Sequence, residues 1–432
     1  MRHFAVVGSG PAGFYTAEAL EKAYGANARI DILDRYPVPY GLIRFGVAPD
    51  HQSLKAVSKR YDKVAESAGV NFIGNVMVGR DVSIAELLDL YDAVILATGA
   101  PHDRKLGVPG EDLAGVIGSG EFVGWYNGHP EYADLDPFLL GSNAVIIGAG
   151  NVALDCARIL AKTRHEFEGS DIVGHALDAL DNSAIRTITI LGRRGPYQVA
   201  MTPKELGELS HLEAAVPEID LGDFPPLEAD EPLEPGLRKS VTILRSFAQL
   251  PQNKPKRMVF DFFAKPVRVE GDGRVERVIV ERTELDEKGG ARGTGETYAV
   301  PASLVITAIG YSTSPIPDVP FAGGKFVNEQ GRIADRLYAV GWARRGPTGT
   351  IGTNRPDGYE VADQVAVAMP AGSCGDRQGA EGLKRLLQSR GVMPTDYDDW
   401  RKIEQSETAN ARAGSPREKF VRHEHWLQTI GR

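Results

Sequence analysis

The sequence predicts an α/β chain with two Rossmann-like dinucleotide-binding domains. Three observations predict it. Two strand–glycine loop–helix segments recur about 140 residues apart. Each is followed by a second strand that ends in chemistry suited to a ribose: an acid after the first loop, an arginine pair after the second. Each then has a later buried strand running into glycine, Val94–Gly99 and Leu304–Gly310.

The elements follow in order. Phe4–Val7 is a short β-branched run, Gly8-Ser-Gly-Pro-Ala-Gly13 a loop, and Phe14–Ala23 a helix, with Pro11 where a first turn tolerates it. Arg29–Leu33 is the next strand and ends at Asp34. The second copy has strand Ala144–Ile147, loop Gly148-Ala-Gly-Asn-Val-Ala153, helix Leu154–Lys162 and strand Thr187–Leu191, with Arg193 and Arg194 just past it. Asp220–Pro235, rich in proline and acid, reads as an exposed loop. Met258–Phe263 and Val275–Arg282 alternate like antiparallel strands, with Asp286–Gly295 as a turn region. Leu337–Trp342 is a strand entering the glycine-rich stretch Gly346–Gly352, and helical pattern resumes from Tyr359. The tail from Gly391 is polar, and its Trp400 and Trp426 are expected to pack against the body.

Composition narrows the class. The 432 residues carry 49 basic and 58 acidic side chains, a formal charge of −9, so the chain as a whole is not built to coat nucleic acid or an anionic membrane. Apolar residues are 42% and charged residues 25%, an ordinary globular balance. Cys156 and Cys374 are the only cysteines and stand far apart, which excludes a disulfide framework, a CxxC pair and a thiolate-held zinc or iron–sulfur site. The same poverty fits a reducing cytoplasm, and no apolar run approaches the ~18 residues a membrane span needs.

Each loop has a physical logic. Gly8 permits the sharp turn, Gly10 the approach of a pyrophosphate, and Gly13 close packing of helix on strand. The helix N-terminus offers free N–H groups to phosphate. Asp34, about 20 residues on, suits a free ribose. In the second loop Ala153 replaces the third glycine, and Asn151 is expected to cap the helix or touch the ligand. Arg193 and Arg194 suit a 2′-phosphate. The first site therefore suits FAD and the second NADP, an arrangement for hydride transfer between nicotinamide and flavin.

Several longer segments resemble those of adrenodoxin reductase and its bacterial ferredoxin–NADP(+) reductase relatives. They are Gly8–Gly13, Tyr40-Gly-Leu-Ile-Arg-Phe-Gly-Val-Ala-Pro-Asp-His51, Gly148–Asp155, Gly192-Arg-Arg-Gly-Pro196 and Val340–Asn354. The resemblance implies a glutathione-reductase-like architecture, with an FAD domain from residues 1–105 and 315–432 and an NADP domain from 106–314. It implies that FAD touches Gly8, Gly10, Ala12, Gly13, Asp34, Gly41, Leu42, Ala97, Gly99, Gly341, Trp342, Gly349, Thr350 and Ile351. It implies that NADP touches Gly148, Gly150, Asn151, Val152, Arg193, Arg194 and Glu205, and that His51 and Glu208 form a catalytic pair near the nicotinamide. Arg238, Lys239 and Arg245 would dock an acidic 2Fe–2S ferredoxin, with Lys254, Lys256 and Arg257 nearby in sequence. The stretch 220–236 departs from the family pattern.

The implied activity is NADPH:ferredoxin oxidoreduction by a cytoplasmic, monomeric flavoprotein: hydride passes to FAD, then single electrons to a ferredoxin serving a cytochrome P450 or Rieske oxygenase. An NADPH-dependent reductase of a quinone or other small acceptor is the competing enzyme reading. A non-catalytic nucleotide sensor is the reading from another class, and two sites of distinct ribose chemistry weigh against it.

Overall fold

The computed structural model describes residues 1–370 and 375–432; Cys374 lies outside the described residues. The chain divides into two compact units, Met1–His102 with Asn127–Pro130 and Gly310–Arg432, and Asp103–Tyr126 with Glu131–Ile309.

The first unit is built on a six-stranded sheet in the order 332–334, 337–339, 93–96, 2–7, 28–33, 70–73. All neighbours run parallel except the short edge pair 332–334 and 337–339. The central strand, Arg2–Val7, is flanked by buried runs such as Ala93–Leu96, the signature of a sheet covered on both faces. One face packs Phe4, Val6, Ile30 and Ile32 against Phe14, Ala17 and Leu20 of helix Pro11–Tyr24; the other packs Ala5, Val7 and Leu33 against Leu87 and Leu383. The polar tail forms two helices, Tyr397–Ala409 and His423–Thr429, whose Trp400 and Trp426 are fully buried in the first of these cores.

The second unit repeats the design. Its six strands run 116–118, 304–307, 143–147, 187–192, 256–262, 215–219, and every neighbouring pair is parallel. A three-stranded antiparallel sheet, Ala264–Glu270, Arg277–Leu285 and Ala291–Pro301, accompanies it.

Two sequence expectations need correction here. The segment at Met258–Phe263 is not antiparallel: Lys256–Phe262 lies between two parallel strands of the large sheet, and its alternation reflects buried Met258, Phe260 and Phe262 on one face. The turn expected over Asp286–Gly295 is confined to its first residues, because Ala291–Pro301 is a strand of exposed polar residues, whose weak apolar signal hides it. Asp220–Pro235 contains two 3₁₀ turns, and Pro235 opens helix Pro235–Phe247, its first helical position being the one where proline's missing N–H costs nothing. No helix among the described residues is long and apolar enough to cross a membrane.

Candidate functional site

In the first unit the glycine loop joins the central strand to helix Pro11–Tyr24. Its glycines divide by role. A side chain on Gly13 would strike the carbonyl of Gly8, and one on Gly8, at φ +114°, the carbonyl of Ala97. These two close the backbone on itself. At Gly10 a Cβ would meet nothing within 4 Å. Gly10 is the N-cap, without a side chain to satisfy the first-turn amides. The helix therefore presents unpaired N–H groups to open space, which is the cradle a pyrophosphate fits.

Asp34 follows strand Ala28–Leu33. Its Oδ2 accepts from the Ser9 N–H at 3.0 Å and the Ser9 hydroxyl at 2.5 Å, and its Oδ1 from the Tyr36 N–H at 3.0 Å. Burial pushes its carboxyl above the usual range, and these donors pull it back. Ser9, an unremarked residue of the loop, thus ties the acid to the loop; nothing in the GxGxxG pattern marks it.

Three more segments meet this loop. The Tyr40 N–H donates to the Ser9 carbonyl at 3.0 Å, and a Cβ on Gly41 would lie 3.0 Å from the Gly10 Cα. Leu42, next in line, is exposed. Gly99, beyond buried Ala97, has open space before it, and its carbonyl accepts from the Thr313 hydroxyl at 2.8 Å. A Cβ on Gly341 would lie 2.6 Å from the Ala12 methyl. Asp357, unflagged by the sequence, holds the last segment together: it accepts from the Gly341 N–H and pairs with Arg344 at 2.7 Å and Arg345 at 2.6 Å. Trp342 stacks on Tyr311 at 6.0 Å and donates from Nε1 to the Thr348 carbonyl at 3.0 Å, just before exposed Gly349 and Thr350 and half-buried Ile351. His51 is buried at the N-cap of the short helix Gln52–Lys55.

The second unit reproduces the loop. A side chain on Gly148, at φ +139°, would strike the Ala308 carbonyl, and Gly150, the N-cap of helix Asn151–Ala161, faces open space. Asn151 does not cap this helix. It is the first helical residue, and its Oδ1 accepts from the Thr202 N–H at 2.9 Å, tying the helix start to the segment before Glu205. Val152 beside it is half-buried. Arg193 and Arg194 are exposed past strand Thr187–Gly192, and neither has a carboxylate partner among the described residues. Glu205 sits in the first turn of helix Pro203–Leu209, and its Oε2 is buried without a hydrogen-bond partner among the described residues. Such an oxygen is costly to leave unpaired and suits a hydroxyl donor.

Glu208, on the same helix, meets the Arg158 guanidinium at 3.2 Å, and Arg158 also holds Asp155 at 2.9 Å. His51 belongs to the first unit and Glu208 to the second. On helix Pro235–Phe247, Arg238 and Lys239 are exposed. Arg245 is not available in the same way. Asp230 holds its guanidinium through contacts of 2.8 and 2.9 Å, the Pro225 carbonyl takes a third hydrogen bond at 2.7 Å, and the group lies 4.7 Å over Phe224. It fastens the proline-rich loop. Lys254 and Lys256 are likewise spent on the carbonyls of Leu212 and Leu160, and Arg257 on Glu218.

A family model described as pyridine nucleotide-disulphide oxidoreductase matches residues 2–202. The chain is 39% identical to NADPH-ferredoxin reductase FprA of Mycobacterium leprae, covering 96% of this chain and 94% of that protein. It is 42% identical to the mitochondrial NADPH:adrenodoxin oxidoreductase of Homo sapiens, covering 99% and 91%. The structure of Mycobacterium tuberculosis FprA in complex with NADPH superposes with a TM-score of 0.95 at 38% identity, covering 99% of both chains.

Proposed function

The chain belongs to the family of NADPH-ferredoxin and NADPH:adrenodoxin reductases, and we propose that it oxidises NADPH and delivers the electrons through FAD to a ferredoxin. The observation that carries this reading is the pair of open helix N-termini, one beside a carboxylate and one beside two exposed guanidinium groups without a carboxylate partner among the described residues. When bound, FAD supplies the conversion of a two-electron hydride donor into a one-electron donor.

FAD belongs to the discontinuous first unit, within a few residues of the expected 1–105 and 315–432 apart from the added Asn127–Pro130, and NADP to the inserted second unit. Gly10 and the first-turn amides hold the FAD pyrophosphate, and Asp34 accepts from its ribose. Gly41, Leu42, Trp342 and the stretch 349–351 border the isoalloxazine, where backbone N–H groups favour negative charge. Gly150 and its helix hold the NADP pyrophosphate. Arg193 and Arg194 bind the 2′-phosphate, and Glu205 takes a ribose hydroxyl, because a phosphate oxygen would repel its carboxylate. His51 and Glu208 align the nicotinamide; Arg158 holds Glu208 in place. Hydride transfer asks for alignment more than for proton transfer. The acceptor is an acidic 2Fe–2S ferredoxin that serves an oxygenase, and the exposed Arg238 and Lys239 are the docking cations. Cysteine poverty supports a cytoplasmic setting, and the reading needs only a monomer.

The test is NADPH-driven cytochrome c reduction with and without a 2Fe–2S ferredoxin from the same organism. A large ferredoxin-dependent rate is expected. A rate indifferent to every ferredoxin tried would move the acceptor to a small molecule such as a quinone.

A further inference from the structure

The C-terminal segment was legible in the sequence only as a polar tail with two tryptophans. In the first unit it grips the turn at residues 40–46. That turn is strained: Tyr40 has φ +85°, a region bulky residues rarely enter, and Gly41 follows at φ +48°. Strain of this kind persists only where the surroundings impose it. Here the Tyr40 ring lies among Phe14, Tyr61 and Trp400, at 5.6, 6.3 and 5.7 Å. Its hydroxyl donates to Asp62 and stands 2.9 Å from the Tyr397 hydroxyl, which donates to the same Asp62 oxygen at 2.8 Å. Tyr397 opens the helix Tyr397–Ala409, whose start is fixed by reciprocal hydrogen bonds between Asp396 and Asp399. Four residues beyond Tyr40, the buried Arg44 forms a two-pronged pair with fully buried Glu407 of that helix, at 2.5 and 2.9 Å. The Arg44 guanidinium also lies over Trp400 at 5.4 Å and Trp426 at 5.8 Å.

We infer that the C-terminal segment is a flavin-retention clamp: through Tyr397, which shares Asp62 with Tyr40, and through Glu407 it holds Tyr40 and Arg44, and so keeps the strained Tyr40–Gly41 turn against the glycine loop that cradles FAD. The inference rests on FAD occupying the first unit. These are positioning residues. The Tyr40 N–H to Ser9 contact and the Gly41–Gly10 approach pass the constraint to the loop itself. An ion pair this buried gives little net stability against an apolar replacement but fixes geometry closely. Fixed geometry is what a turn touching a cofactor needs.

The test uses the holoenzyme and two conservative variants, Tyr40→Phe and Tyr397→Phe, each of which removes one hydroxyl and keeps its ring. Three properties are measured: the FAD dissociation constant, the visible flavin spectrum and the melting temperature. Tyr40→Phe is expected to weaken FAD binding about tenfold, equivalent to about 1.4 kcal/mol, with a displaced flavin band. Tyr397→Phe should do the same to a lesser degree, because Asp62 keeps the Tyr40 hydroxyl. NADP⁺ affinity should not move in either, which shows that the second unit is intact. Melting that falls while FAD affinity and spectrum stay at wild-type values would overturn the clamp and leave only a structural bond. Wild-type protein that binds no FAD would overturn the functional reading itself, a separate result.

Discussion

Two glycines of one motif do different work. Gly13 is closed in by the Gly8 carbonyl, whereas Gly10 has open space before it. Gly13→Ala should therefore cost the fold, by about 1–3 kcal/mol of overpacking, visible as a lower melting temperature. Gly10→Ala should leave the fold within about 1 kcal/mol, the cost of an N-cap change, yet weaken FAD at least tenfold, because a methyl group would stand where the pyrophosphate comes. Equal loss of stability in both would remove the distinction. Arg193 and Arg194 give a second residue-scale expectation. Charge-assisted hydrogen bonds contribute about 1.5–3 kcal/mol each, less where solvent screens them. Replacing both with Gln should raise the KM for NADPH by roughly ten- to a hundredfold and leave that for NADH nearly unchanged. A parallel rise in both would mean that the pair does not read the 2′-phosphate.

At the scale of elements, the proline- and acid-rich loop at 220–234 carries a pH dependence. Burial, then the neighbouring Asp220, pushes the Asp223 carboxyl up to about 6, while Arg282 opposes the shift. The folded form thus binds a proton more tightly than the unfolded one. Stability from this group is full below the ordinary carboxylate range and declines as pH rises from about 4 to 6. Asp223→Asn should therefore stabilise the protein at pH 7, by about 1–2 kcal/mol, and make no difference below about pH 4. Thermal melts across pH decide it; a variant less stable at pH 7 would show that the charge is wanted there.

What was legible in the chain follows from how local each signal is. The parallel strands Arg2–Val7 and Thr187–Gly192 are short buried runs beside glycine or charge, and could be read directly. At strand Lys256–Phe262 the alternation misleads, because it reports which face is buried and not which strand lies beside it. The glycine loops, Asp34 and the arginine pair stood out because their spacing is fixed within one βαβ unit. Ser9, Asp62, Asp357 and Glu407 did not, because their partners lie 12 to 363 residues away along the chain and no local pattern marks them. Arg245 looks like a docking cation in the sequence, which does not show that Asp230 already holds it.

At the scale of the whole molecule, a chain of formal charge −9 would have to meet the acidic partner proposed above. Net repulsion is screened beyond about 8–10 Å at ordinary salt, whereas cations brought into contact with carboxylates act at short range. Most candidate cations are already spent inside the second unit: Arg245 on Asp230, Arg257 on Glu218, Lys254 and Lys256 on carbonyls. Arg238, which gives one guanidinium N–H to the Leu233 carbonyl at 3.1 Å, and Lys239 keep their charge exposed on helix Pro235–Phe247. Electrostatic docking by so few charges affects the association rate more than the bound state. The ferredoxin-dependent rate at low ferredoxin should therefore fall as ionic strength rises from about 0.01 to 0.3 M, while NADPH-driven ferricyanide reduction, which needs no docking, changes little. Reversing the pair, Arg238→Glu with Lys239→Glu, should lower kcat/KM for ferredoxin about tenfold, flatten that salt dependence and leave the KM for NADPH unchanged. If the double reversal leaves the ferredoxin rate and its salt profile at wild-type values, the docking face lies elsewhere on the molecule, and the cations of this helix are ordinary solvated charges.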